Sequence, residues 1–197
     1  KYVELPDAYK SINESLFQAA TYNDRKLDLQ YIHSEKLNSG NVDAMLSSLD
    51  GVLIAPGFGQ RGIEGKFIAL KYAREHDIPT FGVCLGMQCM VIEYARDVLG
   101  YTDANSTEMD VTTKHNVIDL MEEQKSITNM GGTMRLGAYD CILAEDSIAA
   151  KAYLVEVVEV PSLRWYVGVQ YHPEYNSTVL NPNPLFVDFI KAAISKK

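Results

Sequence analysis

The segment Phe81–Met90, FGVCLGMQCM, decides the fold assignment, because it places a cysteine between two glycines where a strand gives way to a helix. Residues 80–83 form an apolar run of strand length, and residues 85–98 have the length and composition of a helix. Cys84 stands between them in the pattern G-x-C-x-G. A sharp strand-to-helix turn needs small flanking residues and exposes its central side chain. The segment therefore predicts a nucleophile elbow with Cys84 as the nucleophile.

The residues before this turn alternate between helical and extended patterns. A continuous apolar run such as GVLIA at 51–55 is typical of a parallel strand buried on both faces. Alternating helices and strands predict a parallel sheet covered on both sides. In chain order we predict a helix over 8–20 with Ile12, Leu16, Phe17 and Ala20 on one face, a strand over 27–32, a helix over 41–49, a strand over 51–55 and a helix over 63–75.

The second half of the chain has more strand character than the first. Residues 100–133 are predicted to be a long irregular connection, followed by strands over 136–144, 154–160 and 166–171 and a closing helix over 184–195. The expected fold is therefore a three-layer α/β domain. Its central sheet is mostly parallel, with helices on both faces and a mixed or antiparallel extension in the C-terminal half.

Composition excludes several classes of protein. A chain of 197 residues with a net charge of −8 predicts one domain without a broad nucleic-acid-binding surface. No apolar run approaches the roughly 20 residues that span a membrane. The three cysteines form no C-x-x-C pair, which argues against a disulfide framework or a zinc site, so no metal is expected. We predict a cytoplasmic protein.

A thiol nucleophile needs a base, and His172 is the best candidate of the four histidines. It follows a predicted strand in QYHPEY, and Glu174 stands two residues later, where it can orient the imidazole. The other histidines, His33, His76 and His115, have no comparable carboxylate neighbour at a strand end. The pattern G-x-C-x-G alone leaves open a buried structural cysteine, which is the commoner fate of an intracellular thiol.

Several motifs resemble one known family. GVCLGMQ at 82–88 together with YHPE at 171–174 resembles the class I, triad-type glutamine amidotransferases. Further motifs resemble the glutaminase domains of the CTP synthase family. These are KYVELPDAYKSI at 1–12, RGIEGK at 61–66, ANSTE at 104–108 and MGGTMRLGAY at 130–139.

The resemblance implies a role for each matching residue. Cys84 would form a γ-glutamyl thioester with glutamine, His172 would act as base and acid, and Glu174 would orient it. The backbone amides of Gly57 and Leu85 would form the oxyanion hole. Three further residues, Phe58, Gln88 and Glu108, would line the glutamine pocket, with Glu108 binding the α-ammonium group.

The chain departs from the family pattern at three places. Ala55 and Pro56 stand where the family has proline and glycine, and since proline lacks an N–H the oxyanion role falls on Gly57. A segment with an arginine for the substrate carboxylate is expected between about residues 153 and 154 but is missing. The first strand of the domain and an upstream amidoligase domain are also expected before residue 1.

The resemblance implies that the chain supplies ammonia for amination of UTP to CTP in a larger protein. That reaction would use ATP and Mg²⁺ in the absent amidoligase domain, and the full protein would be a homotetramer. GIEGK at 62–66 is not a phosphate-binding loop, so we expect no cofactor in this chain. The alternatives are a free-standing γ-glutamyl hydrolase, another amidotransferase subunit, or a non-catalytic regulatory module.

Overall fold

The buried strands pair into a four-stranded sheet in a computed structural model that describes residues 1–5, 7–119 and 156–195. The α-helices are α1 (Lys10–Tyr22), α2 (Val42–Leu46), α3 (Ile63–Glu75), α4 (Leu85–Asp97) and α5 (Pro184–Ile194). The strands are β1 (Val52–Ile54), β2 (Thr80–Val83), β3 (Asn105–Ser106), β4 (Asn116–Ile118), β5 (Val157–Glu159) and β6 (Tyr166–Val169).

The main sheet has the order β1-β2-β6-β5. Strands β1, β2 and β6 are parallel, and β5 is antiparallel to β6. Their register pairs Ile54 with Gly82 and Gly82 with Gly168, so the carboxyl ends of the three parallel strands meet at one edge. Residues just beyond these ends are therefore brought together, which is where open α/β sheets bind ligands.

Helices cover both faces of this sheet. One apolar cluster contains the buried faces of α2, α3 and α4, and a second contains those of α1 and α5. Phe81 of β2 belongs to the second cluster, where its ring meets that of Phe186 edge-on at 5.2 Å. The predicted three-layer, mostly parallel fold with an antiparallel extension is confirmed. Within the described residues no helix is both long and apolar enough to cross a membrane.

The predicted strand over 27–32 is wrong, because no residue of this segment belongs to a strand. A cavity of about 370 Å³ is lined by residues 27–32 and by residues 51–55, which include the edge strand β1. A strand is defined by backbone pairing, and among the described residues β1 pairs with β2 alone. In α1, Phe17 is 46% exposed rather than buried, and Ala19 takes its place on the buried face.

The region beyond α4 is less irregular than predicted. Strands β3 and β4 form a small parallel pair inside the predicted connection over 100–133. The predicted strand over 136–144, the motif at 130–139 and the expected missing segment near 153 lie outside the described residues. Of the strand predicted over 154–160, the structure describes β5.

The turn between β2 and α4 is strained at its centre. Cys84 has φ 54° and ψ −110°, a conformation that L residues with a side chain rarely adopt. Its neighbours have no room for a side chain. A Cβ on Gly86 would lie 2.0 Å from the carbonyl oxygen of Ile54, and one on Gly82 would lie 2.4 Å from the sulfur of Met90. Both glycines of the motif are thus required by close backbone contacts, as predicted.

This strain predicts that Cys84→Gly is more stable than Cys84→Ala. Both changes remove the sulfur, but only glycine relieves a strain of about 1–3 kcal/mol, and its own entropic cost is about 0.5–1 kcal/mol. Urea denaturation should therefore favour the glycine variant by about 1 kcal/mol. The exposed Ser47, which has φ −61°, is the control. There Ser47→Gly should be less stable to urea than Ser47→Ala. Equal stabilities of the two Cys84 variants would contradict a strained turn.

Candidate active site

Cys84 is held at the carboxyl edge of the sheet by its own backbone. Its N–H donates to the carbonyl of Val169 at 2.7 Å, which continues the pairing of β2 with β6, and its carbonyl accepts from the N–H of Gln88 at 3.2 Å, in the first turn of α4. The side chain is half-buried. The sulfur therefore lies at the amino terminus of a 13-residue helix, whose unpaired backbone N–H groups can stabilise a developing negative charge.

His172 and Glu174 form a buried pair beyond the end of β6. Nδ1 of His172 lies 2.7 Å from Oε1 of Glu174, and their side chains are 13% and 3% exposed. The adjacent 3-10 turn (Pro173–Asn176) carries Glu174, and the ring of Tyr175 lies 5.6 Å from that of His172. The carboxylate therefore fixes Nδ1 as the protonated nitrogen and leaves Nε2 for the chemistry.

Nε2 of His172 is buried on the side of Cys84. It has no well-aligned hydrogen-bond partner in the part of the chain that the structure describes. The Cys84 sulfur, as an acceptor for the Nε2 proton, and then Glu174 nevertheless raise the pKa of His172 to about 10, against the opposing effect of burial. A group with this pKa is an imidazolium at neutral pH. The resting site thus contains a proton donor beside the sulfur.

The glycine-rich loop after β1 brings Gly57 beside the start of α4. A Cβ built on Gly57, which has φ 157°, would lie 3.6 Å from Cδ2 of Leu85. Leu85 is the first residue of α4, where amides have no partner within the helix. The two predicted oxyanion residues are therefore neighbours at the start of α4.

Gln170 is a residue of this site that the sequence analysis missed. Its Nε2 donates to the Cys84 sulfur at 3.7 Å, and its Oε1 accepts from Nε2 of Gln88 at 3.1 Å. Gln88 is thus linked to the nucleophile through Gln170. A signal was present in the sequence, because Gln170 comes directly after β6 and two residues before His172.

Phe58 is part of the glycine-rich loop, and Glu108 lies in a segment that is tied to this loop. Phe58 is 46% exposed. Gln60 donates to the Met109 carbonyl, which ties the segment containing Glu108 to the glycine-rich loop. Burial lowers the pKa of the Lys1 side chain, and Glu108 is among the acids that partly oppose this effect. The structure thus places Glu108 near the loop, without a direct contact to Cys84 among the described contacts.

The remaining thiols and histidines differ from Cys84 and His172 in their surroundings. Cys89 is fully buried in α4, and burial raises the pKa of its thiol to about 11. His115 does have a carboxylate partner, Asp103 at 2.6 Å, which the sequence analysis did not foresee. Its side chain is 46% exposed and its ring is stacked on Tyr101, away from the sheet edge. Cys141 lies outside the described residues.

The arrangement combines a thiol at a helix amino terminus, an imidazolium oriented by a carboxylate and two candidate amides for an oxyanion. These groups suit covalent acyl transfer through a thioester. No cluster of three or more metal-binding side chains occurs in residues 1–5, 7–119 and 156–195.

Comparison with known proteins agrees with this chemistry. The profile of the family described as "Glutamine amidotransferase class-I" matches residues 4–154. The chain is 60% identical over 234 aligned positions to a CTP synthase of Bacteroides fragilis and 56% identical over 235 to one of Porphyromonas gingivalis. All of this chain is covered in both cases, but it spans only 44% of the length of these relatives.

A solved structure is similar over nearly its whole length. It is the glutaminase domain of Trypanosoma brucei CTPS with bound acivicin, which is 34% identical, with a TM-score of 0.83. The match covers 100% of this chain and 92% of that one. The profile match and this full-length similarity identify the chain as a member of the class I glutamine amidotransferase family, of the type found as the glutaminase domain of CTP synthases.

Proposed function

We propose that this domain hydrolyses glutamine to glutamate and ammonia through a γ-glutamyl thioester on Cys84. The observation that carries the proposal is the strained elbow at Cys84, beside the His172 imidazolium that Glu174 orients. The bound acivicin named for the Trypanosoma brucei domain supports a site of this kind.

In the first half-reaction, the Cys84 thiol gives its proton to Nε2 of His172, and the resulting thiolate attacks the side-chain carbonyl carbon of glutamine. The carbonyl oxygen becomes an oxyanion, which the Gly57 and Leu85 amides stabilise. When the C–N bond breaks, His172 gives its Nε2 proton to the departing nitrogen, which leaves as ammonia. The products of this step are the thioester and a neutral imidazole.

In the second half-reaction, neutral His172 accepts a proton from a water molecule that attacks the thioester carbonyl. A second oxyanion forms at the same amides and collapses as the C–S bond breaks. Glutamate leaves, and the thiolate and imidazolium are restored. Glu174 stabilises the imidazolium and keeps Nδ1 protonated through its hydrogen bond to Nδ1.

We further propose that Phe58, Gln88 and Glu108 line the glutamine pocket. The support for Gln88 is its link through Gln170 to the Cys84 sulfur, and the support for Glu108 is its attachment beside the glycine-rich loop. A carboxylate there would pair with the substrate α-ammonium and favour a free amino acid over a peptide.

Glu108→Gln should raise the KM for glutamine at least tenfold and change kcat by less than about threefold. The ammonium group is bound equally in the ground state and the transition state, so its loss affects binding rather than turnover. Steady-state glutamate release measures both constants. Glu64→Gln, at a carboxylate that is 78% exposed on α3, is the matched control and should leave both constants unchanged. An unchanged KM in Glu108→Gln would remove this residue from the pocket.

The whole-protein activity is also a proposal. We propose that an amidoligase domain upstream uses the ammonia to aminate UTP, with ATP and Mg²⁺ bound in that domain. The CTP synthase relatives, of which this chain spans 44%, support this domain order. The cavity at the free edge of β1 supports the expected first strand, because Lys1 and Val3 line it and an added strand could pair there. The homotetramer and the cytoplasmic location stay predictions.

Glutamate release from this 197-residue chain, compared with release from the chain carrying the upstream region, tests the proposed function. We expect both to release glutamate and Cys84→Ala to release none. Only the longer protein should make CTP, and UTP, ATP and Mg²⁺ should raise its glutaminase rate. CTP from the short chain would contradict the domain assignment. Equal, nucleotide-independent rates would indicate a free-standing hydrolase, and no glutamate from either would favour a regulatory module.

A further inference from the structure

The carbonyl groups of the glycine-rich loop are held from one side. Pro56, Phe58 and Gly59 each accept a hydrogen bond from a side chain of the first nine residues. The donors are Tyr9 OH at 3.2 Å, Tyr2 OH at 3.5 Å and Lys1 Nζ at 2.5 Å, respectively. We call residues 1–9, except Pro6, the N-terminal strap. Since the strap binds three of the loop's carbonyls, it determines how the loop's peptide planes are turned.

The Tyr9 contact is made to the peptide group that matters most for the oxyanion. The Pro56 carbonyl and the Gly57 N–H belong to one planar peptide unit, which is trans, as are all those described. In a trans peptide these two groups point in opposite directions. A hydrogen bond that holds the Pro56 oxygen toward Tyr9 therefore holds the Gly57 N–H pointing away from Tyr9.

The Pro56–Gly57 peptide needs the Tyr9 hydrogen bond because Gly57 does not restrict the orientation of this peptide by itself. Gly57 has no side chain and tolerates many backbone conformations. At its observed φ of 157°, an added Cβ would lie 3.1 Å from the Tyr2 ring, so a side chain at this position would require the strap to shift by a few tenths of an ångström. The loop thus depends on outside contacts for its conformation.

The Tyr9 hydroxyl is well suited to the task. It is part of a side chain that is only 7% exposed, just before α1. It accepts a hydrogen bond from the Tyr2 N–H at 3.2 Å, so its own hydrogen is left to donate to Pro56. Two sets of contacts hold Tyr9 in place. The helix that follows it, α1, packs against α5, and the strap packs against the glycine-rich loop.

We infer that Tyr9 is a positioning residue that keeps the Gly57 amide turned toward the oxyanion, without touching the substrate. This inference rests on the proposed function. The N-terminal strap would then control whether the Gly57 N–H is aligned to bind the oxyanion. An upstream domain would be joined to the chain through this strap. Movement of the strap would then change turnover with little change in glutamine binding.

Tyr9→Phe removes only the hydroxyl and tests this role in the full chain. Losing an oxyanion donor costs about 10²–10³ in kcat, and a donor that is only misaligned should cost less, about tenfold or more. We expect kcat for glutamine to fall at least tenfold while KM changes less than twofold. Tyr22→Phe, at a side chain that is 66% exposed, should match the wild type.

Alkylation of Cys84 by iodoacetamide distinguishes a misaligned Gly57 amide from a general distortion of the active site. This reaction forms no oxyanion, so it depends on the thiol and not on the oxyanion hole. Tyr9→Phe should be alkylated at the wild-type rate. A wild-type kcat in Tyr9→Phe would overturn the inference, and so would an equal fall in kcat and in alkylation rate. If wild-type protein releases no glutamate, the proposed function fails instead, so the two failures are distinguishable.

Discussion

The site depends on one backbone conformation, the positive φ angle of Cys84 at the turn between β2 and α4. The chain holds the nucleophile at φ 54° and ψ −110° because β2 must end and α4 must begin within a single residue. Pairing of β2 with both β1 and β6 fixes one side of the turn. On the other side, α4 packs directly on backbone, with Gly86 against Ile54 and with Met87 and Met90 against Gly168.

This packing brings three groups toward Cys84 from two other parts of the chain. The end of β6 contributes Gln170 and, just beyond, the His172–Glu174 pair, while the loop after β1 contributes Gly57. Their separation in sequence is possible because parallel strands end at the same edge. The free energy stored at Cys84 is about 1–3 kcal/mol, small beside the rest of the fold. The stability of the sheet therefore maintains the strained conformation of Cys84.

Much of this arrangement could be predicted from the sequence, because the decisive signals are local. The motif around Cys84 determines its own turn, and the position of His172 after a buried run places it at the same sheet edge. The predicted strand over 27–32 failed because strand pairing is not local, and this segment pairs with no strand among the described residues. Gln170 and Tyr9 were missed because their roles depend on contacts with residues 86 and 47 positions away.

The central claim is that the Cys84 sulfur carries the acyl group, and rapid acid quenching during turnover tests it most directly. Glutamine is mixed with the protein, the reaction is stopped within the first turnover, and peptides are analysed by mass spectrometry. The account predicts a glutamyl adduct on the peptide containing Cys84, sensitive to hydroxylamine, and none in Cys84→Ala. Glutamate release without any adduct, or an adduct on Cys89, would contradict it.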